Sequence, residues 1–368
     1  MQQLQAERDA LLKPLATVTG IVERRHTLPI LSNVLIRNTN GTLTFTGTDL
    51  EIQIASQQSS GFSGDEFALT VAAKKISDIL RSLPDKVVVT LEEADGRLTV
   101  KAGKSRFQLQ TLPAADFPQL AVDTNLRATL KLAQGQLKAL LSRVQFAMAH
   151  QDIRYYLNGL LLVTEGNLLK LVATDGHRLA FVSAELSSSF EKNEVILPRK
   201  TILELYKALS DNDDEVSIDI AGNQVRFSFG STVIHSKVVD GKFPDYNRVI
   251  PTGNDKLLSI DRQQLLAAMQ RASILSNEKF RGVRLVLTPG MLKIICNNTE
   301  QEEAQEELEV NYDASPLDVG FNIQYLLDVL TNMQVETLHF AFGEAGSSVL
   351  VSIPDNEHFK YIVMPMRI

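Results

Sequence analysis

The sequence predicts an α+β protein built from three copies of one domain, each a pair of helices packed on antiparallel strands. Three observations predict it. One apolar-rich stretch recurs at offsets of 125 and 124 residues. Each copy is flanked by two segments with apolar residues at helical spacing. Alternating runs around glycine turns occupy most of the remainder, the pattern of antiparallel strands. At 368 residues the chain exceeds one ordinary core, and the repeat divides it at 1–124, 125–250 and 251–368.

The recurring stretch reads NVLIRNTNGTLTFTGTDLE (33–51), NGLLLVTEGNLLKLVATDGHR (158–178) and GVRLVLTPGMLKIICNNTEQ (282–301), with Gly41, Gly166 and Gly290 in register. The helix before each is ERDALLKPLATV (7–18), LAQGQLKALLSRVQFAM (132–148) and IDRQQLLAAMQRASIL (260–275). The helix after each is KKISDILRSL (74–83), RKTILELYKAL (199–209) and IQYLLDVLTNM (323–333). Strand pairs around Gly96 and Gly222 follow the second helices of the first two copies. In the third copy VETLHFAFGEAGSSVLVSI, a turn and FKYIVMPMRI take that place.

Composition excludes several classes. Hydrophobic residues at 44% and charged residues at 22% suit folded cores rather than a disordered chain. No stretch approaches the roughly 18–20 apolar residues of a membrane helix, and the polar start MQQLQAERDALLKPL is unlike a signal peptide, so a cytoplasmic protein is expected. The lone Cys296, in LKIICNN, reads as a buried strand residue, and no Cys/His spacing calls for zinc or another cofactor. A net charge of −7 taken alone argues against a nucleic-acid partner. Its distribution reverses that argument. Taken with their flanks, as 7–25, 72–85, 131–148, 198–211, 259–281 and 322–333, the six helical segments hold seventeen of the 37 Lys and Arg but only ten of the 44 Asp and Glu, a net of +7 against −14 elsewhere. One basic face made by repeated helices could therefore meet phosphates without reading bases.

Three local patterns invite a chemical reading. AGKS (102–105) has Leu98 where a phosphate-binding loop needs its first glycine, and a strand pattern follows it. TDGHRLA (174–180) gathers Asp175, His177 and Arg178, the best acid–base candidate, yet Thr48 and Asp49 hold the same repeat positions with no histidine following. A tight turn or a binding surface explains it without a nucleophile. The acidic run EQEEAQEELE (300–309) lacks the spacing of a calcium loop. It could pair head to tail with the basic Lys101, Lys104 and Arg106 of the first repeat.

The motifs TLPILSN (27–33), TGTDLE (46–51), SRFQLQTLPAADFP (105–118), MAHQDIRYYLNG (148–159), ATDGHRLA (173–180), DGKFPDY (240–246), ILSNEKFRGVRL (274–285) and YIVMPMRI (361–368) resemble those of the bacterial sliding clamp family, the beta subunits of DNA polymerase III. The resemblance runs the length of the chain. It implies a head-to-tail homodimer whose six domains close into a ring around duplex DNA, with helices inside and sheets outside. It implies a non-catalytic processivity factor that tethers polymerases, the clamp loader and repair proteins through short peptide motifs.

Carried onto this sequence, the resemblance implies DNA contacts at Arg25, Lys74, Gln151, Tyr155 and Tyr156, with Lys74 standing where a better-known member has Arg. Lysine keeps the charge and loses the bidentate fork. A peptide cleft is implied at Leu157, Thr174, Gly176, His177, Arg178, Leu179, Pro244, Arg248, Val249, Phe280, Asn322, Tyr325, Ser348, Ile362, Val363, Met364, Pro365, Met366 and Arg367, with Gly346 in a wall where a larger aliphatic residue is found in the family. The dimer interface is implied at Phe107, Ile274 and Leu275, rimmed by Lys104 and Arg106 against Glu300, Glu302 and Glu303.

Overall fold

The computed structural model describes residues 2–23 and 28–367. Its six α-helices, among the described residues, are α1 (Arg8–Thr19), α2 (Ala73–Ser82), α3 (Gln134–Ser142), α4 (Arg199–Ala208), α5 (Arg262–Ser273) and α6 (Ile323–Asn332). They fall where the periodicity places them. In α2, Ala73, Ile76, Ser77 and Leu80 form one buried stripe while Lys74, Lys75, Asp78 and Arg81 stay exposed. Burying Ile76 and Leu80 contributes roughly 1.5–3 kcal/mol each. The side chain of Asp261 accepts from Gln264 N at 2.7 Å to start α5, and Asn322 accepts from Gln324 N at 2.9 Å to start α6. The third helix stops earlier than its apolar run, which continues as a 3-10 turn at Gln145–Ala147.

The chain forms two compact units, 1–138 with 203–238 and 139–202 with 239–368. The middle repeat is therefore shared between them, because its strands extend both neighbouring sheets. In the first unit Thr232–Lys237 pairs with Ile52–Gln58 (Ile234 opposite Ile54), joining a thirteen-stranded sheet. In the second, Arg178–Pro198 pairs with Asn356–Val363 (Ala180 opposite Tyr361) in a six-stranded sheet, beside a separate four-stranded one. The repeat glycines Gly41, Gly166 and Gly290 all have φ between +60° and +78°, a left-handed conformation that side chains resist.

One element escaped the sequence reading. Gln2–Glu7 is a strand, pairing with Val88–Ala94 through Leu4 opposite Leu91, with Leu4 and Ala6 buried.

The helix cations are less free than the charge count implies. Arg8, the first residue of α1, donates from Nε to the Leu80 carbonyl of α2 at 2.8 Å. Arg262, the first residue of α5, likewise donates to the Leu330 carbonyl of α6 and to Val335 O, both at 2.8 Å. In the middle repeat Lys138 reaches Leu209 O at 2.9 Å. Each first helix thus caps the open carbonyl end of its partner helix, so part of the basic excess is structural.

Candidate functional site

The second unit holds a cavity of about 220 Å³. Three devices shape it. The first is the loop before Leu157: Asp152 N donates to Asn158 Oδ1 at 2.9 Å and Asn158 Nδ2 returns to Asp152 O at 2.8 Å, closing the loop on itself. Arg154 binds both carboxylate oxygens of Asp152, at 3.0 and 2.8 Å, and the carbonyl of Asp175 at 3.0 Å, so it stands fixed at the lip. These bonds hold the Asp152 carboxyl down at about 2. A 3-10 turn, Tyr155–Leu157, then buries Leu157.

The second device is the turn after Thr174. Its hydroxyl donates to Arg178 O at 2.6 Å and accepts from Gly176 N at 3.0 Å, while Asp175 Oδ1 accepts from His177 N and Arg178 N at 2.9 and 3.1 Å. The first repeat makes the same turn: Thr48 Oγ1 donates to Ile52 O and accepts from Leu50 N, and Asp49 Oδ1 accepts from Glu51 N and Ile52 N. Asp175 is therefore a turn residue with its lone pairs committed, not a free base beside His177. Gly176, at φ +90°, is required twice over, since a Cβ there would also lie 2.8 Å from Arg154 Nη1.

The third device is Arg178, whose side chain is 9% exposed. Its guanidinium donates to Asp175 Oδ2 at 3.1 Å, Asp328 Oδ2 at 2.5 Å, Phe146 O at 2.7 Å and Tyr361 Oη at 3.4 Å. It also lies over the rings of Tyr325 and Phe146, at 4.5 and 5.7 Å from their centroids. Burial opposes its charge, but the Tyr361 hydroxyl and Asp328 more than offset that and hold its proton above the ordinary range. The fully buried Tyr361 donates to Tyr325 O at 2.9 Å, and burial pushes its own ionisation upward. Arg178 offers the cavity a rigid wall rather than a free charge.

Of the residues carried over to the cleft, the cavity gathers Leu157, Thr174, Gly176, Arg178, Leu179, Pro244, Val249, Ile362 and Met364. Tyr156, expected to face DNA, also lines it, as do Arg154, Phe243 and Tyr246, which sequence reasoning missed although they fall within the motifs MAHQDIRYYLNG and DGKFPDY. Its floor is apolar and buried, while Met364 is 41% exposed at the mouth.

The remaining cleft residues lie outside this cavity. His177 is exposed and its carbonyl accepts from Met364 N. Arg248 is 85% exposed and paired with Asp245 at 3.0 Å, and Phe280 is 59% exposed. Asn322 caps α6, Tyr325 lies beneath Arg178, and the Ser348 carbonyl accepts from Asn254. Val363 is buried in its strand, Pro365 is half-buried, Met366 N bonds Gly320 O, and Arg367 is exposed. A Cβ at Gly346 would meet nothing within 4 Å, so the wall there is open.

Arg25 lies outside the described residues. Lys74 projects from α2 into a groove of about 920 Å³ in the first unit. Gln151, at φ +57°, and Tyr155, 58% exposed and edge-on to Tyr156, belong to the cavity loop of the second unit.

The expected interface residues lie on or beside two sheet edges and, for Ile274 and Leu275, at the end of α5. In the first unit, residues 105–110 of the strand Ser105–Pro113 pair only with Arg97–Ala102, and Lys104 and Arg106 are exposed beside the half-buried Phe107. In the second, Glu303–Glu309 is the outer strand of the four-stranded sheet. Glu303 begins that strand and Glu300 and Glu302 lie in the turn before it, all three exposed; Ile274, 77% exposed, and the half-buried Leu275 follow the end of α5. Burial pushes the Cys296 thiol up to about 11, as suits an inert strand residue.

Three family models match the chain in order: the N-terminal, central and C-terminal domains of the DNA polymerase III beta subunit, over residues 2–121, 131–245 and 247–367. The beta sliding clamp of Pseudomonas aeruginosa is 48% identical over 363 residues, spanning 98% of this chain and 99% of that protein. That of Escherichia coli is 45% identical over 362 residues, with the same coverage. A crystal structure of the P. aeruginosa DNA polymerase III subunit beta superposes with a TM-score of 0.95 over 100% of both chains at 48% identity. A second P. aeruginosa structure, bound to griselimycin, matches with a TM-score of 0.95 at 47% identity.

Proposed function

The chain belongs to the DNA polymerase III beta subunit family, a non-catalytic processivity factor of three clamp domains, and we propose how this sequence carries out that work. The observation that carries the reading is the preformed cavity, where an apolar floor meets a rim whose carboxylates are already neutralised from within. At about 220 Å³ it is smaller than the ~300–1,000 Å³ of drug-sized pockets and takes one or two apolar side chains of an extended peptide. Met364 adapts the mouth to different sequences. Polymerases, the clamp loader and repair proteins dock there by short motifs, leaving the ring to hold DNA.

Two protomers close head to tail by antiparallel addition of the 105–110 edge to the partner's 303–309 edge, with Phe107, Ile274 and Leu275 at the apolar centre. Lys104 and Arg106 against Glu300, Glu302 and Glu303 form a rim worth about 0–1 kcal/mol per pair, so the apolar centre decides closure. Duplex DNA passes through the ring and meets Arg25, Lys74, Gln151, Tyr155 and Tyr156 without base readout. The domain limits are at 124 and 250, and the protein works in the cytoplasm.

Fluorescence anisotropy tests the dock. A labelled peptide with Leu and Phe anchors binds with roughly micromolar affinity, about −8 kcal/mol, and griselimycin displaces it. Pro244→Asp with Val249→Asp, at the mouth, weakens it at least tenfold. Unchanged binding with these substitutions removes the cavity as the dock.

A further inference from the structure

The groove of the first unit is not a plain cationic channel. Lys74, Lys75, Arg81 and Lys207 line it together with Glu23, Asp78 and Glu204. On α2 the single carboxylate of Asp78 serves two cations, Lys74 Nζ at 3.4 Å four residues before it and Arg81 Nη1 at 4.0 Å three residues after. All three side chains are more than half exposed. Lys207 Nζ is bound to Glu204 Oε1 at 2.7 Å, and Glu204 is only 8% exposed. That carboxylate is built in: a Cβ on Gly20, at the end of α1, would stand 2.1 Å from Glu204 Oε2, so the glycine leaves it room. Among the described residues Lys75 makes no ion pair.

We propose that Asp78 and Glu204 are internal counterions, occupying the cations of this groove until a phosphate displaces them and so keeping each DNA contact weak enough for the ring to slide. This rests on the reading that the groove faces duplex DNA. A bare cation gains its full share of released counterions on meeting phosphate, whereas a paired one only exchanges one anion for another. The free energy along the duplex is then nearly level from phosphate to phosphate, because every step breaks a carboxylate pair and remakes it. The exposed Asp78 pairs are individually weak, which lets them exchange.

The test is salt dependence of binding to a short linear duplex by the full-length clamp, comparing Asp78→Asn, Lys75→Ala and the parent chain by anisotropy, with circular dichroism to verify the helix. Asp78→Asn keeps the side chain's shape and frees Lys74 and Arg81. Two further phosphate contacts steepen the slope of log K against log salt by about 1.8. Between 200 and 50 mM salt the variant's advantage over the parent then grows about twelvefold. One-dimensional diffusion on loaded DNA slows in parallel. Lys75→Ala flattens the slope by about 0.9 if the groove meets DNA. A flattened slope for Lys75→Ala with an unchanged one for Asp78→Asn overturns the counterion role alone. No change in either overturns the DNA-facing reading and the proposal with it.

Discussion

Replacing Arg178 by Met tests whether the cleft is held by one buried guanidinium. The substitution keeps most of the aliphatic volume and removes the planar fork with its bonds to Asp175, Asp328 and Phe146 O. Removing one partner of a buried pair costs about 3–5 kcal/mol when the other is stranded. Here the strandings are partial. Asp328 keeps a bond from Gln324 Nε2 at 2.7 Å and is 24% exposed, and Asp175 Oδ1 keeps its two backbone donors. The Phe146 carbonyl loses its charged donor outright and the buried Tyr361 Oη loses a long one at 3.4 Å, so the cost falls toward the low end, about 3 kcal/mol. Because the chain has several domains, a global melting temperature is a poor readout. Amide hydrogen exchange is read instead over residues 174–180, where opening accelerates about 100-fold and peptide binding weakens with it. Arg178→Lys retains charge without the fork and falls between. Exchange within fivefold of the parent for Arg178→Met refutes the argument.

Three further outcomes are expected. Arg262→Met removes two bonds to the carbonyl end of α6 and destabilises the second unit by about 2–4 kcal/mol in urea unfolding, with little effect on exchange in α2. Asp152 has its carboxyl depressed from 3.8 to about 2 in the folded state, so its pairing with Arg154 is complete above pH 4 and is lost as pH falls through 2. A carboxyl-carbon NMR titration with a midpoint near 4 contradicts that pairing. Ile274→Ala with Leu275→Ala yields monomers in analytical ultracentrifugation, and a persistent dimer removes the interface assignment.

Much of the fold was legible because it is written three times. Helix periodicity located six helices, since a stripe such as Ile76 and Leu80 must be buried wherever it recurs. The strand Gln2–Glu7 was missed because only Leu4 and Ala6 alternate in it, too short a pattern against a polar background. The longer of its two partner strands, Val88–Ala94, is also more than eighty residues away. Charge counting overvalued the helix cations: a sequence does not show that Arg8 and Arg262 are turned toward carbonyls. At the site, apolar floor residues such as Leu157, Leu179 and Ile362 followed from the family resemblance. The bonds that fix Arg154 and commit Arg178 depend on loops meeting in space. The repeat itself supplied the one clue to Asp175, because Asp49 makes the same turn with no histidine beside it.

The pairing of Thr232–Lys237 with Ile52–Gln58 also sets a timetable for synthesis. About 170 residues separate the two strands, which at ~5–20 residues per second means roughly 9–35 s of translation before the second can arrive. Throughout that interval Ile52–Gln58 has only Thr42–Thr48 beside it, and its other edge stays open to any passing strand. The nascent first repeat thus carries an unpaired strand edge, a template for aggregation, until the middle repeat emerges to cover it.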